Sequence, residues 1–312
     1  MKEKIAGSLI GVAVGDALGF PFEGCSAKEL KEVRFCYLPQ GSYPAGTWSD
    51  DTSLTFITAE SLLAKGRLDL HDLAQRFYLW LKEGYFTPHG RPLGFGRATV
   101  RALWRYAAGL PPEKAGGRGE RDCGNGSLMR MAPVVLWFIS SPEETLLASV
   151  HEASSLTHAH PRVLLACGLY ALLLKGLSQK MTLNEAFLYV RERGMRFYSR
   201  NLPFAKEMSY FDLLWKGHLF HLKKEEIRAS GYVVHTLLAT FWILARTNNF
   251  REALKLAVSL GEDTDTTAAV VGSVAGFYYG LSQIPPSWCH SLVKGDHLLN
   301  LAFHFAEKME AR

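Results

Sequence analysis

Asp50 and Asp51 stand side by side in "GTWSDDTSLTF", between Ser49 and Thr52 and inside a stretch that is otherwise apolar. Adjacent like charges repel, and burying either one without a partner is costly. Far along the chain, "LGEDTDTTAAVVG" sets Asp263 and Asp265 among Thr264, Thr266 and Thr267, again where a helix should start. A lone acidic residue there would be an N-cap, since a carboxylate accepts from orphan N–H groups and suits the helix dipole. One cap accounts for one Asp. It accounts neither for Asp-x-Asp nor for the Ser-Asp-Asp-Thr cluster. Carboxylates and hydroxyls are hard oxygen donors, suited to Mg²⁺ or Mn²⁺, whereas Zn²⁺ favours His and Cys. Four carboxylates converging from two helix starts would hold two divalent cations about 4 Å apart. Separate N-caps, or a single calcium site, remain open readings, although no EF-hand spacing is present.

The elements that must bring these clusters together are helices. Apolar residues recur at three- and four-residue spacing almost throughout. The pattern predicts helices over roughly 3–19, 50–65, 70–83, 95–107, 126–139, 142–155, 161–175, 183–198, 204–216, 228–246, 250–259, 264–280 and 298–310. Pro and Gly mark the breaks, and the one short strand candidate is "KEVRFCYLP". The expected fold is all-α, a compact orthogonal helical bundle forming one domain over 1–312. In the first helix Gly7, Gly11, Gly15 and Gly19 recur every four residues, each costing about 1 kcal/mol against Ala. Such a ridge lets another backbone come close. The matching small face is Ala268, Ala269, Gly272, Ser273, Ala275 and Gly276. Close packing of these two helices would hold their ends rigidly, as a metal site needs.

Composition narrows the class. The chain has 312 residues, 48% hydrophobic and 21% charged, ordinary for a soluble globular protein. A net charge of +5 suits an anionic small substrate and is too weak an excess to indicate nucleic acid. The five cysteines form no CxxC pair, so neither a zinc ribbon nor a disulfide framework is signalled, and a reducing cytoplasm is expected. Asp16 interrupts the apolar N-terminal run after about ten residues, which reads as too short to span a bilayer. The expectation is a cytoplasmic monomer without membrane association.

Five segments in order, "GSLIGVAVGDALGFPFEG", "GTWSDDTSLT", "CGNGSLMRMAPV", "SSLTHAHP" and the stretch from "SGYVV" to "GEDTDTTAAVVGSVAGFYYG", resemble the ADP-ribosylglycohydrolase family, which includes the dinitrogenase reductase-activating glycohydrolases. The resemblance covers about residues 3 to 290. It implies a binuclear Mg²⁺ (or Mn²⁺) centre with Ser49, Asp50 and Asp51 as one ligand set and Asp263, Asp265 and Thr266 as the other, supported by the Thr52 hydroxyl. Glu23, after "FPF", matches a glutamate on a mobile loop near the metals. Gly124, Asn125, Gly126 and Ser127 match the loop that receives a diphosphate. That agrees with physics, because a glycine-flanked turn opening a helix presents N–H groups to an anion. His158 and Tyr232 match positions lining the ADP-ribose cleft. One departure stands out: Gly94 occupies a position where many members carry an acidic residue, with His89 and Arg91 nearby.

The implied reaction is hydrolysis of the bond between ADP-ribose and an acceptor, passing through an oxocarbenium-like state, with Glu23 or Asp50 as general base. The leading substrate is ADP-ribosyl-arginine on protein. Other linkages (serine, a nucleobase, O-acyl-ADP-ribose) and a non-catalytic ADP-ribose-binding relative are the competing readings.

Overall fold

The glycine ridge organises the fold. Helix α1 (Lys2–Gly19) is apolar all round, with Ile5 through Gly19 buried, so it belongs in the centre rather than at the surface. It runs antiparallel to α11 (Thr264–Tyr279) with backbones nearly touching. A Cβ placed on Gly7, Gly11 or Gly15 would stand 2.4, 2.0 or 2.1 Å from the carbonyl oxygens of Gly276, Gly272 and Ala268. The small face expected from the sequence is therefore the partner. Ser8 and Ser273 hydroxyls hydrogen-bond across the seam at 2.9 Å.

The structure, a computed structural model, describes residues 1–30 and 36–312; the strand candidate falls partly on 31–35, outside the described residues. Around the central pair lie α2 (Asp50–Lys65), α3 (Leu70–Glu83), α4 (Arg97–Ala107), α5 (Ala132–Trp137), α6 (Glu143–Ser155), α7 (Pro161–Ser178), α8 (Leu183–Tyr198), α9 (Val233–Leu244), α10 (Phe250–Val258) and α12 (Gly295–Glu310). The fold is all-α, and only isolated bridges occur among the described residues. α1 packs on α12 and α2, α11 on α10 and α9, and α6, α7 and α8 form a second layer. No disulfide joins the described residues.

Three expected helices are shorter or broken. Of 126–139 only Ala132–Trp137 is helical, because Pro133 sets the first turn and the preceding loop spends its backbone groups elsewhere. The segment 204–216 splits into Leu202–Ala205, a 3₁₀ turn Met208–Phe211, and Asp212–Trp215, where the Trp215 indole donates back to the Met208 carbonyl. The helix expected over 228–246 begins at Val233. α1 prolonged through Phe22, and α7, are after all long and apolar enough to cross a membrane, since Asp16 alone does not break the apolar average; 94% and 83% of them are buried inside the fold.

Candidate metal centre and cleft

Ser49 caps α2, its hydroxyl accepting from the Asp51 N–H, while its own N–H donates to both oxygens of Asp16 at 3.0 and 2.9 Å. Thr52 donates to Asp16 through its amide (3.0 Å) and its hydroxyl (2.5 Å). Asp16 thus anchors the start of α2 onto the last turn of α1. Asp51 Oδ2 accepts from the Ser49 hydroxyl at 3.2 Å and from the Thr266 hydroxyl at 3.3 Å, joining the starts of α2 and α11. Asp265 accepts from the Thr266 amide at 2.9 Å. Asn125 donates to Asp263 Oδ2 at 2.7 Å and to the Thr236 hydroxyl at 2.9 Å, tying the glycine loop to the same centre. The two acidic clusters converge, as the sequence implied.

Asp16, Asp51 and Asp265 offer oxygens within 4.8 Å of one another, and all three are buried. No lysine, arginine or histidine forms an ion pair with these, or with Glu23, Asp50 or Asp263, among the described residues. Burial pushes the Asp16 carboxyl up to about 6, against the pull of the Thr52 and Ser49 hydrogen bonds. Asp50 and Asp51 are driven well above the usual carboxylate range by burial and by the Asp16 charge. Asp265 follows through burial and Asp263, and Glu23 rises for the same two reasons. Crowded carboxylates without a cation are the inverse of a stable ion pair, and a divalent ion would reverse the balance. Asp51 Oδ1 is buried with no hydrogen-bond partner among the described residues. An orphaned carboxylate oxygen beside other hard donors fits a metal ligand.

Above this floor opens a cavity of about 760 Å³. Glu23, Asp50, Asp263, Asp265 and Thr266 line its base, and Ser49 and Asp51 lie beneath them. One wall is Gly94–Ala98, another Gly124–Gly126 with Met129 and His158, a third Ser230, Gly231 and Glu262. The chain after Glu23 is tied down: the Gly24 N–H donates to the Glu262 carbonyl and the Glu262 N–H to the Cys25 carbonyl, both at 2.7 Å.

Four expectations need correction. The Gly124–Ser127 loop does not open a helix; the Asn125 N–H donates to the Gly231 carbonyl and the Val233 N–H to the Cys123 carbonyl, so a neighbouring chain segment holds it. Ser127 is buried away from the cavity, its hydroxyl accepting from Ser154 at 2.8 Å. Tyr232 does not line the cavity: its phenol accepts from Arg162 at 3.2 Å, and its backbone braces Gly124 from behind. His89 and Arg91 pack on Tyr43 and stay out of the cavity wall.

Sequence reasoning missed two features. Asp16 was legible as the single carboxylate beyond the first turn of an apolar, glycine-rich helix, a placement that demands partners. The other is the start of α4: Gly96 gives no side-chain cap, so orphan N–H groups of Arg97 and Ala98 stand at the cavity wall, an arrangement favourable to an anion. Gly94, with φ +54°, places its Cβ position 3.0 Å from Asp50 Oδ1, so a side chain there would crowd the floor.

Comparison with known proteins gives the family and the fold. The ADP-ribosylglycohydrolase family model matches residues 1–312. The chain is 31% identical over 301 residues to the ADP-ribosylarginine hydrolase Tri1 of Serratia proteamaculans (strain 568), covering 96% of this chain and 78% of that protein. It is 28% identical over 331 residues to the ADP-ribosylhydrolase ARH3 of Gallus gallus, covering 91% and 88%. A solved structure described as an ADP-ribosylglycohydrolase-related protein complex superposes with a TM-score of 0.82 at 33% identity, covering 98% of each chain. With a matching family model over its whole length, the same fold, and two converging acidic clusters at the base of one cleft, the chain belongs to the ADP-ribosylglycohydrolase family of hydrolytic enzymes.

Proposed function

We propose that this enzyme releases ADP-ribose from arginine side chains of modified proteins, with two Mg²⁺ (or Mn²⁺) ions held by Ser49, Asp50, Asp51, Asp263, Asp265 and Thr266. The observation that carries the reading is the buried Asp51 Oδ1, without a hydrogen-bond partner among the described residues, amid carboxylates that no cationic side chain among those residues pairs with, at the base of a cavity. The arginine linkage draws support from the Serratia relative, which is named for it. When bound, the cations supply positive charge and Lewis acidity at the floor.

The rest falls to the chain's own groups. Gly124, Gly126 and the start of α4 line the cavity side by side, a Cβ on Gly126 falling 3.2 Å from the Thr99 hydroxyl, and offer N–H donors to the diphosphate. Glu23 takes the proton of the attacking water as the bond from C1″ to the acceptor nitrogen breaks. Burial and the Asp263 charge raise its affinity for a proton, the direction a base needs. Asp50 is the second candidate for that proton, since it also faces the cavity. Holding the sugar in one orientation supplies much of the acceleration.

One observation favours a second reading, the same chemistry on a serine, nucleobase or O-acyl linkage. Gly94 leaves the side of Asp50 bare where an acidic residue would face an acceptor. The test is a panel of ADP-ribosylated arginine, serine and nucleic-acid substrates with and without Mg²⁺. Release from arginine only with Mg²⁺ is expected. Full turnover after thorough chelation would refute the metal assignment, and release from another linkage alone would shift the substrate.

A further inference from the structure

Behind the glycine loop lies a fully buried arginine without a carboxylate partner among the described residues. Arg130 is 0% exposed, and its Nε and Nη1 have no hydrogen-bond partner among the described residues. The guanidinium lies over the Phe77 ring, 4.8 Å from its centroid. Among the described residues Nη2 alone is engaged, donating to the Ala153 carbonyl at 3.2 Å and to the Thr157 hydroxyl at 2.9 Å. Burial brings this arginine down to about 10, which leaves it charged at neutral pH. A buried cation held by so few bonds is expensive, so the bond it makes to Thr157 calls for a reason.

The reason lies one residue further. The Thr157 hydroxyl is 2.8 Å from His158 Nδ1. A guanidinium N–H can only donate, so the Thr157 oxygen accepts from Arg130, and among the described residues Nδ1 is the one acceptor within reach of the Thr157 proton, which favours donation to Nδ1. Nδ1 is then an acceptor, and a neutral imidazole in that state carries its proton on Nε2. Nε2 has no hydrogen-bond partner among the described residues and faces the loop: it stands 3.4 Å from the Cβ position of Gly126 and 3.7 Å from that of Gly124. Any side chain at Gly126 would meet the imidazole, with Cε1 at 3.0 Å. His158 is also kept neutral, first by burial and then by the Arg130 charge.

We propose that Arg130 and Thr157 are positioning residues that fix His158 in its Nε2–H tautomer, so that the imidazole presents one N–H donor to an anionic oxygen of the substrate above Gly124–Gly126. This rests on the reading that the cavity takes ADP-ribose. Arg130 and Thr157 touch no substrate themselves; they act by deciding which edge of His158 carries the proton. Without them either tautomer would be open to the ring, and one of the two would turn a lone pair toward a phosphate oxygen.

The test uses the full chain with ¹⁵N-labelled histidine. In the wild type, ¹⁵N chemical shifts should report His158 with Nδ1 bare and Nε2 protonated, before any ligand is added. Thr157→Val keeps the shape and removes the hydroxyl; it should mix the tautomers and weaken ADP-ribose binding by about tenfold, the worth of one hydrogen bond to a charged group, with kcat little changed. Thr157→Ser should restore both. An Nδ1–H tautomer in the wild type would overturn the proposal, and that measurement stands even if Thr157→Val fails to fold. So would a Thr157→Val protein that melts earlier yet keeps the wild-type tautomer and affinity, since Thr157 would then serve packing alone. If the wild type has the expected tautomer but binds no ADP-ribose, the role toward the substrate falls together with the functional reading, and the relay to His158 is shown to be separate from it.

Discussion

Gly11→Ala sets helix propensity against tertiary packing, and the sign of its effect decides between them. In an isolated helix the change should stabilise by up to about 1 kcal/mol, because glycine loses more freedom on folding than alanine. Here the added methyl would stand 2.0 Å from the Gly272 carbonyl oxygen and 2.6 Å from its carbon. Both are backbone atoms of α11, so no side chain can swing aside. Restoring even a 3 Å approach requires α1 and α11 to part by about 1 Å along a seam where Gly7 and Gly15 are as close. Overpacking of a rigid core costs about 1–3 kcal/mol, and a backbone-on-backbone clash belongs at the upper end. The net expectation is a loss of about 2 kcal/mol in urea unfolding of the chelator-treated protein. Because α1 carries Asp16 and α11 carries Asp265, the same separation should weaken Mg²⁺ binding measured by calorimetry. Gly11→Ala with unchanged or higher stability would refute the claim that this seam is backbone against backbone.

Asp51→Ala and Asp265→Ala should each lose bound metal although the residues lie on different helices; two ions per chain by elemental analysis in either variant would show that the clusters act separately. Glu23→Gln keeps the size and removes the proton acceptor, so kcat should fall by about 10²–10⁴-fold with ADP-ribose affinity nearly unchanged. Unaltered kcat would move the base to Asp50. His151, beside the Tyr198 phenol at 2.9 Å, is held down to about 4 by burial, below its ordinary 6.5. A histidine with a lowered folded value contributes stability above its unfolded value and loses it as pH falls. The loss on going from pH 7 to pH 5 should therefore be smaller in His151→Gln than in the wild type, by about 2 kcal/mol; equal losses would show that His151 charges freely in the folded state.

The sequence by itself determined the helical architecture, the two acidic helix starts and the seam between α1 and α11. Each is written in local spacing: apolar residues at three and four, glycine at every fourth position, Asp beside Ser and Thr. It also marked the loop Gly124–Gly126 and His158, which do line the cavity. What the tertiary structure alone decided were the pairings between distant segments. Asp16 becomes part of the centre only because Ser49 and Thr52 donate to it from 33 and 36 residues away. The loop before α5 remains a loop because the Gly231 carbonyl takes the Asn125 amide, and Asn125 reaches Asp263 across 138 residues. Ser127 and Tyr232 turn from the cavity because Ser154 and Arg162 offer them buried partners. Local periodicity reports which face of an element is buried. Which hydrogen-bond partner waits there depends on how the elements cross, and a polar group removed from water must take whichever partner that crossing brings.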